Sequence, residues 1–289
     1  MTKLALGTVQ FGINYGVANT TGRVSLDEVK SILELAKSKN ITTLDTAIAY
    51  GESEQVLGES GIESFDIVTK LPAIASNLSV SDIHRWVDEQ VDNSLQKLKV
   101  GKVFAVLLHR PLQLLEKNGR QLFQSLQTLK QEGIVDKIGV SIYEPGDLEK
   151  ICPKFDFDLI QLPLNIIDGR WDKWLTSLYI QGVEIHSRSI FLQGLLLMTE
   201  NMRPEKFNKW DTLWKEWELW LKLNNLTPLE ACLKYALSKQ EITKVIVGVD
   251  SKKQLEEIIS ASTFHTPLTQ QMIQINDSIL LNPANWNNL

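Results

Sequence analysis

Eight short runs of apolar, often β-branched residues recur along this 289-residue chain, separated by segments of helical period. That alternation constrains the fold more than any other feature. The runs are KLALGTV (3–9), TTLDTA (42–47), DIVTKL (66–71), VFAVLLH (103–109), DKIGVSI (136–142), DLIQLPL (158–164), VEIHSRS (183–189) and KVIVGV (244–249). Several are nearly continuously apolar, as strands covered on both faces should be. Strands alternating with helices build a parallel, crossover-connected sheet. An open doubly wound sheet and a closed barrel both meet that pattern. The count of eight, and the lack of G-x-G-x-x-G after the first run, favour an α/β fold of the (β/α)8 TIM-barrel type. The expectation is one barrel domain over residues 1–289 with a C-terminal helical and loop extension.

The intervening segments carry helix signals. SLDEVKSILELAKSKN opens with Ser25 followed by Glu28, the pattern of a capping box, and sets Val29, Ile32, Leu33 and Ala36 on one stripe. SVSDIHRWVDEQVDNSLQKLKV places Ile83, Val87, Val91 and Leu95 four apart. LLEKNGRQLFQSLQTLKQEG ends in Gly133, suited to a helix C-terminus, and DSKKQLEEIISA begins at Asp250 or Ser251, either able to cap it. Composition excludes several function classes. A formal charge of −5 with no basic block argues against nucleic-acid and membrane-surface partners. No stretch reaches the roughly eighteen apolar residues of a membrane span. Cys152 and Cys232 are too few for a disulfide framework, and MTKLALGTVQFG is no secretory signal, so a cytoplasmic home is expected.

In a barrel, chemistry collects at the C-terminal ends of different strands. The second run ends at Asp45, with Tyr50 five residues on; the third gives Lys70 and the fourth His109. These are proton-handling groups emerging from apolar strands. A tyrosine with an ordinary pKa near 10 is a poor proton partner at neutral pH unless its anion is stabilised, which a nearby ammonium does. Asp45 would keep a buried Lys70 charged, and His109 could orient a carbonyl and share the proton traffic. The set suits carbonyl reduction, with Tyr50 protonating oxygen as hydride arrives at carbon.

These segments resemble the aldo-keto reductase family. LDTAIAYG followed by SEQVLGE is similar to the family's Asp–Tyr segment, and VTKLP and LLHRP to its lysine and histidine segments. The likeness runs from about residue 3 to 260 and implies a barrel that binds NADP(H), ahead of NAD(H). It implies Asp45, Tyr50, Lys70 and His109 as the catalytic tetrad. It also implies a cofactor site: Gly7 and Thr8 at the end of the first strand, Ser141 and Gln161 at the carboxamide, and Arg188, Ser189 and Gly194 in the loop crossing the pyrophosphate. VIVGVDSKKQLEEI resembles the adenosine-phosphate motif, which brings in Gly248, Ser251, Lys252, Gln254 and Glu257. A helix starting after Gly248 offers free N–H groups and a dipole to a phosphate. The chain departs from the family with Ile142 and Ile258 where asparagine is usual, and with Arg188 where many relatives stack a tyrosine on nicotinamide. Through RSIFLQGLLL the chain is also similar to bacterial members linked to polysaccharide and surface-sugar pathways.

Other features carry weaker expectations. His84, His186 and His265 share no metal-ligand spacing with His109, so no metal is expected. Trp210, Trp214, Trp217 and Trp220 fall on one helix face, which reads as packing and, more sharply, as a wall of the cleft or a subunit contact. The tail LTQQMIQINDSILLNPANWNNL could line a pocket or end a packing helix. The expected reaction is NADPH-dependent reduction of an aldehyde, ketone or sugar-like carbonyl by a monomer or small homo-oligomer. The alternatives are a nucleotide-binding regulatory or sensor protein with little turnover, and a metal-dependent hydrolase lacking any visible ligand cluster.

Overall fold

Eight parallel strands close on themselves in chain order, β1-β2-β3-β4-β5-β6-β7-β8, with β8 pairing back to β1. The computed structural model describes residues 2–19, 22–75, 78–263, 268 and 272–288; His265, residues 269–271 of the tail and Leu289 lie outside them. The strands are β1 (Leu4–Gly7), β2 (Thr43–Asp45), β3 (Asp66–Leu71), β4 (Val103–Leu108), β5 (Val135–Ser141), β6 (Leu159–Pro163), β7 (Glu184–Arg188) and β8 (Lys244–Gly248). Each lies within about two residues of an apolar run. A short turn α1 (Val9–Gly12) follows β1, and α2 (Leu26–Ser38), α3 (Ser53–Gly58), α4 (Ile83–Leu98), α5 (Gly119–Gln131), α6 (Pro145–Ile151) and α7 (Asp172–Ile180) cross over between successive strands. Two helices, α8 (Asp211–Asn224) and α9 (Pro228–Ser238), separate β7 from β8, and α10 (Lys252–Ala261) and α11 (Ser278–Leu281) follow.

The stripe read from sequence explains why α2 docks. Val29, Ile32, Leu33 and Ala36 are all buried against the barrel, each large one worth about 1.5–3 kcal/mol. Ser25 caps the helix by accepting the Glu28 N–H. The capping box itself is not closed: the Glu28 carboxylate turns away from its own helix and its Oε1 accepts the Lys252 N–H at 2.6 Å. The start of α10 competes for the same acceptor and wins it.

Strand residues two apart share a face, which divides the barrel interior into two storeys. Val68, Ala105, Leu107 and Leu159 form an apolar cluster separate from the main core between strands and helices. Above it, toward the strand C-termini, stand Lys70 and Gln161, two residues on from Val68 and Leu159. At the opposite mouth, Glu184 accepts from Lys137 and meets His186 Nε2 at 2.8 Å, sealing the barrel floor. No helix among the described residues is long and apolar enough to cross a membrane.

Candidate active site

The upper storey of the barrel is a continuous polar chain. Ser141, at the end of β5, donates to Gln161 Oε1 at 3.1 Å; Gln161, on β6, donates through Nε2 to Asp45 Oδ2 at 2.6 Å. Asp45 Oδ1 accepts from Lys70 Nζ at 2.6 Å, and the same ammonium donates to the Thr46 carbonyl at 2.8 Å. Lys70 is wholly buried and Asp45 nearly so. Burial lowers the Lys70 pKa while the Asp45 carboxylate opposes that shift, as the sequence suggests. Ser141 and Gln161 therefore stand behind Asp45 and are absent from the walls of the cavity above it.

That cavity, about 340 Å³, opens directly over the chain, and Asp45, Tyr50 and His109 form its floor. Tyr50 sits where the loop after β2 presses on α1: a Cβ at Gly12 would lie 1.7 Å from the Tyr50 carbonyl oxygen, so only glycine lets the loop this close. The Lys70 ammonium lies 5.1 Å from the Tyr50 ring centre, and the His109 ring meets Tyr50 edge-on with centroids 5.9 Å apart. Burial, and next the Asp45 carboxylate, push the Tyr50 pKa well above its ordinary value, with Arg188 opposing. Burial and the cations Lys70 and Arg188 push His109 down to about 4. His109 is therefore neutral near pH 7, with a ring able to hydrogen-bond a substrate oxygen.

Arg188, closing β7, leans over the floor from the other side. Its guanidinium lies 4.1 Å from the Tyr143 ring centre and donates to the Ile142 carbonyl at 2.8 Å and to Ser189 Oγ at 3.3 Å. The loop that follows is strained: Ser189, Leu192 and Gln193 all have positive φ, and Gly194 has φ 90°. A Cβ at Gly194 would come within 2.6 Å of Ala18 Cβ. The tryptophan stripe of α8 supports this loop from behind. Trp217 Nε1 donates to the Leu196 carbonyl at 3.2 Å, and Trp217 stacks on Trp220 at 5.7 Å. None of the four tryptophans lines the cavity, so the packing reading holds and the cleft-wall reading is corrected. Trp286 of the tail packs edge-on against Phe207 and is likewise absent from the wall.

From the floor the cavity extends past Gly7, Thr8 and Gln10 to Gly248, Asp250, Gln254 and Glu257 at the start of α10. Gln10 Oε1 is buried there with no partner among the described residues. A Cβ at Gly248 would meet the Gln10 amide at 2.5 Å. Ser251 Oγ accepts the Gln254 N–H at 3.2 Å, and Lys252 is exposed at the rim. Of the cavity residues, Tyr15, Tyr143, Gln10 and Asp250 were not singled out as site residues by the sequence reading. Tyr143 could have been, since it follows β5 directly. Tyr15 and Gln10 sit in a loop with no periodic signal. Among the described residues no group of His, Cys, Asp and Glu gathers to hold a metal ion.

Similar geometry and sequence occur in known proteins. The family model described as "Aldo/keto reductase family" matches residues 3–281. The uncharacterized oxidoreductase YqkF of Bacillus subtilis is 26% identical in an alignment 298 positions long that covers 95% of this chain and 95% of its own. L-galactose dehydrogenase of Arabidopsis thaliana is 27% identical over 91% of this chain and 86% of its own. Of solved structures, an aldo-keto reductase from Bacillus halodurans superposes with a TM-score of 0.71 at 20% identity, covering 92% of this chain and 88% of the other. The glycerol dehydrogenase of Gluconobacter oxydans does so with a TM-score of 0.68 at 19% identity, covering 93% and 88%. At those identities the structural likeness speaks to the fold alone.

Proposed function

The chain belongs to the aldo/keto reductase family, oxidoreductases that use nicotinamide cofactors, and from that premise we propose that it reduces a carbonyl to an alcohol with Tyr50 as proton donor. The observation that carries this reading is the floor of the cavity, where a protonated phenol and a neutral imidazole share one surface above a buried Lys70–Asp45 pair. A phenol whose pKa is raised stays protonated at neutral pH and gives up its proton only to a stronger base, such as an oxygen becoming alkoxide-like as hydride arrives. The Lys70 ammonium beneath the ring favours the tyrosinate left behind, and Asp45 holds that ammonium charged. His109, uncharged, donates one N–H to the carbonyl oxygen and fixes its direction toward Tyr50.

The walls fit a dinucleotide. Gln10 Oε1 awaits a donor, and the bare positions Gly7, Gly194 and Gly248 leave backbone open to an approaching ligand. When bound, the reduced nicotinamide supplies the hydride. Arg188, Ser189 and Gly194 would hold the part of it nearest the floor, and Gly248, Gln254 and Glu257 the adenosine end. The sequence likeness alone favours NADP(H), through Ser251 and Lys252; the family premise admits either nicotinamide dinucleotide as the hydride source. The substrate is an aldehyde, a ketone or a sugar-like carbonyl. The name of one relative, L-galactose dehydrogenase, agrees with the sugar-like member of that set.

The test is a titration of the purified protein with each nucleotide, followed by its tryptophan fluorescence, and then a panel of aldehydes, ketones and sugars read by loss of nicotinamide absorbance. Tyr50→Phe should keep nucleotide affinity within about twofold and lose roughly 10²–10⁴ in kcat, the usual worth of a positioned acid. Binding without turnover on any carbonyl would favour the sensor alternative. Turnover unchanged in Tyr50→Phe would remove Tyr50 from the role.

A further inference from the structure

The far end of the cavity is acidic where a phosphate would have to sit. The first turn of a helix is an anion site because its N–H groups are unpaired and its dipole is positive. At the start of α10 two of those donors are already engaged. The Lys252 N–H goes to the Glu28 carboxylate, reaching across from α2, and the Gln254 N–H goes to Ser251 Oγ. The Asp250 N–H is taken by Gln254 Oε1 at 2.7 Å. Asp250, half-buried on the cavity wall, holds its own carboxylate in place through Asn19 Nδ2 at 3.1 Å. Glu257 lines the same end. The basic side chains here are Lys252 and Lys253, both exposed, and Lys253 faces Glu257 at 4.0 Å. Two carboxylates, Asp250 and Glu257, thus line this end, with two solvated ammonium groups at the start of the same helix, and the anion seat at the Lys252 N–H is filled by the chain's own Glu28.

We propose that Glu28 and Asp250 make this protein selective for NAD(H): the Asp250 carboxylate accepts the hydroxyls of the adenosine ribose, and the Glu28 carboxylate, holding the Lys252 N–H beside it, helps exclude a 2′-phosphate. The inference rests on the nicotinamide reading above and revises the choice of nucleotide within it. The chemistry is general. A ribose hydroxyl donating to a carboxylate makes a short charge-assisted bond. A phosphate monoester at the same place brings a charge of about −1.5 to −2 at neutral pH against carboxylates that cannot donate. Open α/β folds draw the same distinction with an acidic residue on the ribose 2′-hydroxyl. In this chain α2 supplies one of the two carboxylates, so selectivity depends on a helix that touches no other part of the site.

Calorimetric titration of the full chain with NADH and NADPH tests this without any turnover. The expected result is NADH binding at least about tenfold tighter, a difference of about 1.4 kcal/mol. Glu28→Gln and Asp250→Asn should each narrow that ratio several-fold, and Glu28→Lys should reverse it. The 2′-phosphorylated and plain forms of ADP-ribose should repeat the ranking, which assigns it to the adenosine end. NADPH binding as tightly as NADH to the unaltered protein would overturn the proposal while leaving the nicotinamide reading intact, as would ratios unmoved in the folded variants. Failure of both nucleotides to bind would instead overturn the nicotinamide reading and the proposal with it.

Discussion

Asp45 does four things at once. It neutralises Lys70, receives the Gln161 amide, presents its backbone carbonyl to Thr8 Oγ1 at 3.0 Å, and faces the cavity. Asp45→Asn keeps the shape and removes the charge, leaving Lys70 buried without a counter-ion. Stability should fall by about 3–5 kcal/mol, the usual cost of stripping one partner from a buried pair. The measurement is the urea midpoint at unchanged m-value, and adding Lys70→Met to the same chain should recover most of the loss. A fall of less than about 1 kcal/mol would mean that the pair does not hold the floor together. His109 makes a pH prediction. Its folded pKa of about 4 lies below the ordinary 6.5. Its contribution to stability is therefore full above pH 6.5 and lost as pH falls toward 4, because in that window the unfolded chain binds the extra proton. The imidazole resonances of His109 should titrate well below 6.5; a midpoint at or above 6.5 would contradict the assignment.

At the scale of elements, the strands were legible because a buried parallel strand writes its own local signature. The end residues of β2, β3 and the fourth run were legible for the same reason: polar groups terminating apolar runs. What was not legible joins residues far apart in the chain. Gln161 meets Asp45 at a separation of 116 residues, and Lys252 meets Glu28 at 224. No periodicity announces such meetings, which is why Glu28 reads from sequence as half a capping box. The loop after β7 belongs to an intermediate case. Its glycine was visible, but not that three neighbours would share the left-handed region. Gly194→Ala should cost about 1–2 kcal/mol in backbone strain, added to the clash with Ala18. Because the strain is confined to this loop, nucleotide affinity should weaken about tenfold or more. The melting temperature should move by only a few degrees. Unchanged affinity would show that the loop does not hold the nucleotide.

The barrel as a whole keeps its chemistry at one mouth and a charged seal at the other. Burial raises the pKa of Glu184, but hydrogen bonds from His186 and Lys137 outweigh it and bring the carboxyl down to about 2. That stabilisation is present above the ordinary carboxylate value near 4.5 and is lost as pH falls toward 2. Glu184→Gln should flatten the acid limb of the stability curve across that window and leave nucleotide binding at neutral pH unchanged. An acid limb identical to that of the unaltered protein would place the sensitive carboxylates elsewhere.

The closing seam of the barrel has a consequence for how the molecule is made. β1 pairs with β8, Gly7 lies beside Gly248, and the far arm of the cavity is walled by residues 7–19 and 246–258. A ribosome delivers these two walls more than two hundred codons apart. The nascent polypeptide cannot grip a dinucleotide at both ends until β8 and α10 have followed β1 out of the exit tunnel, so cofactor capture waits on the closing of the barrel.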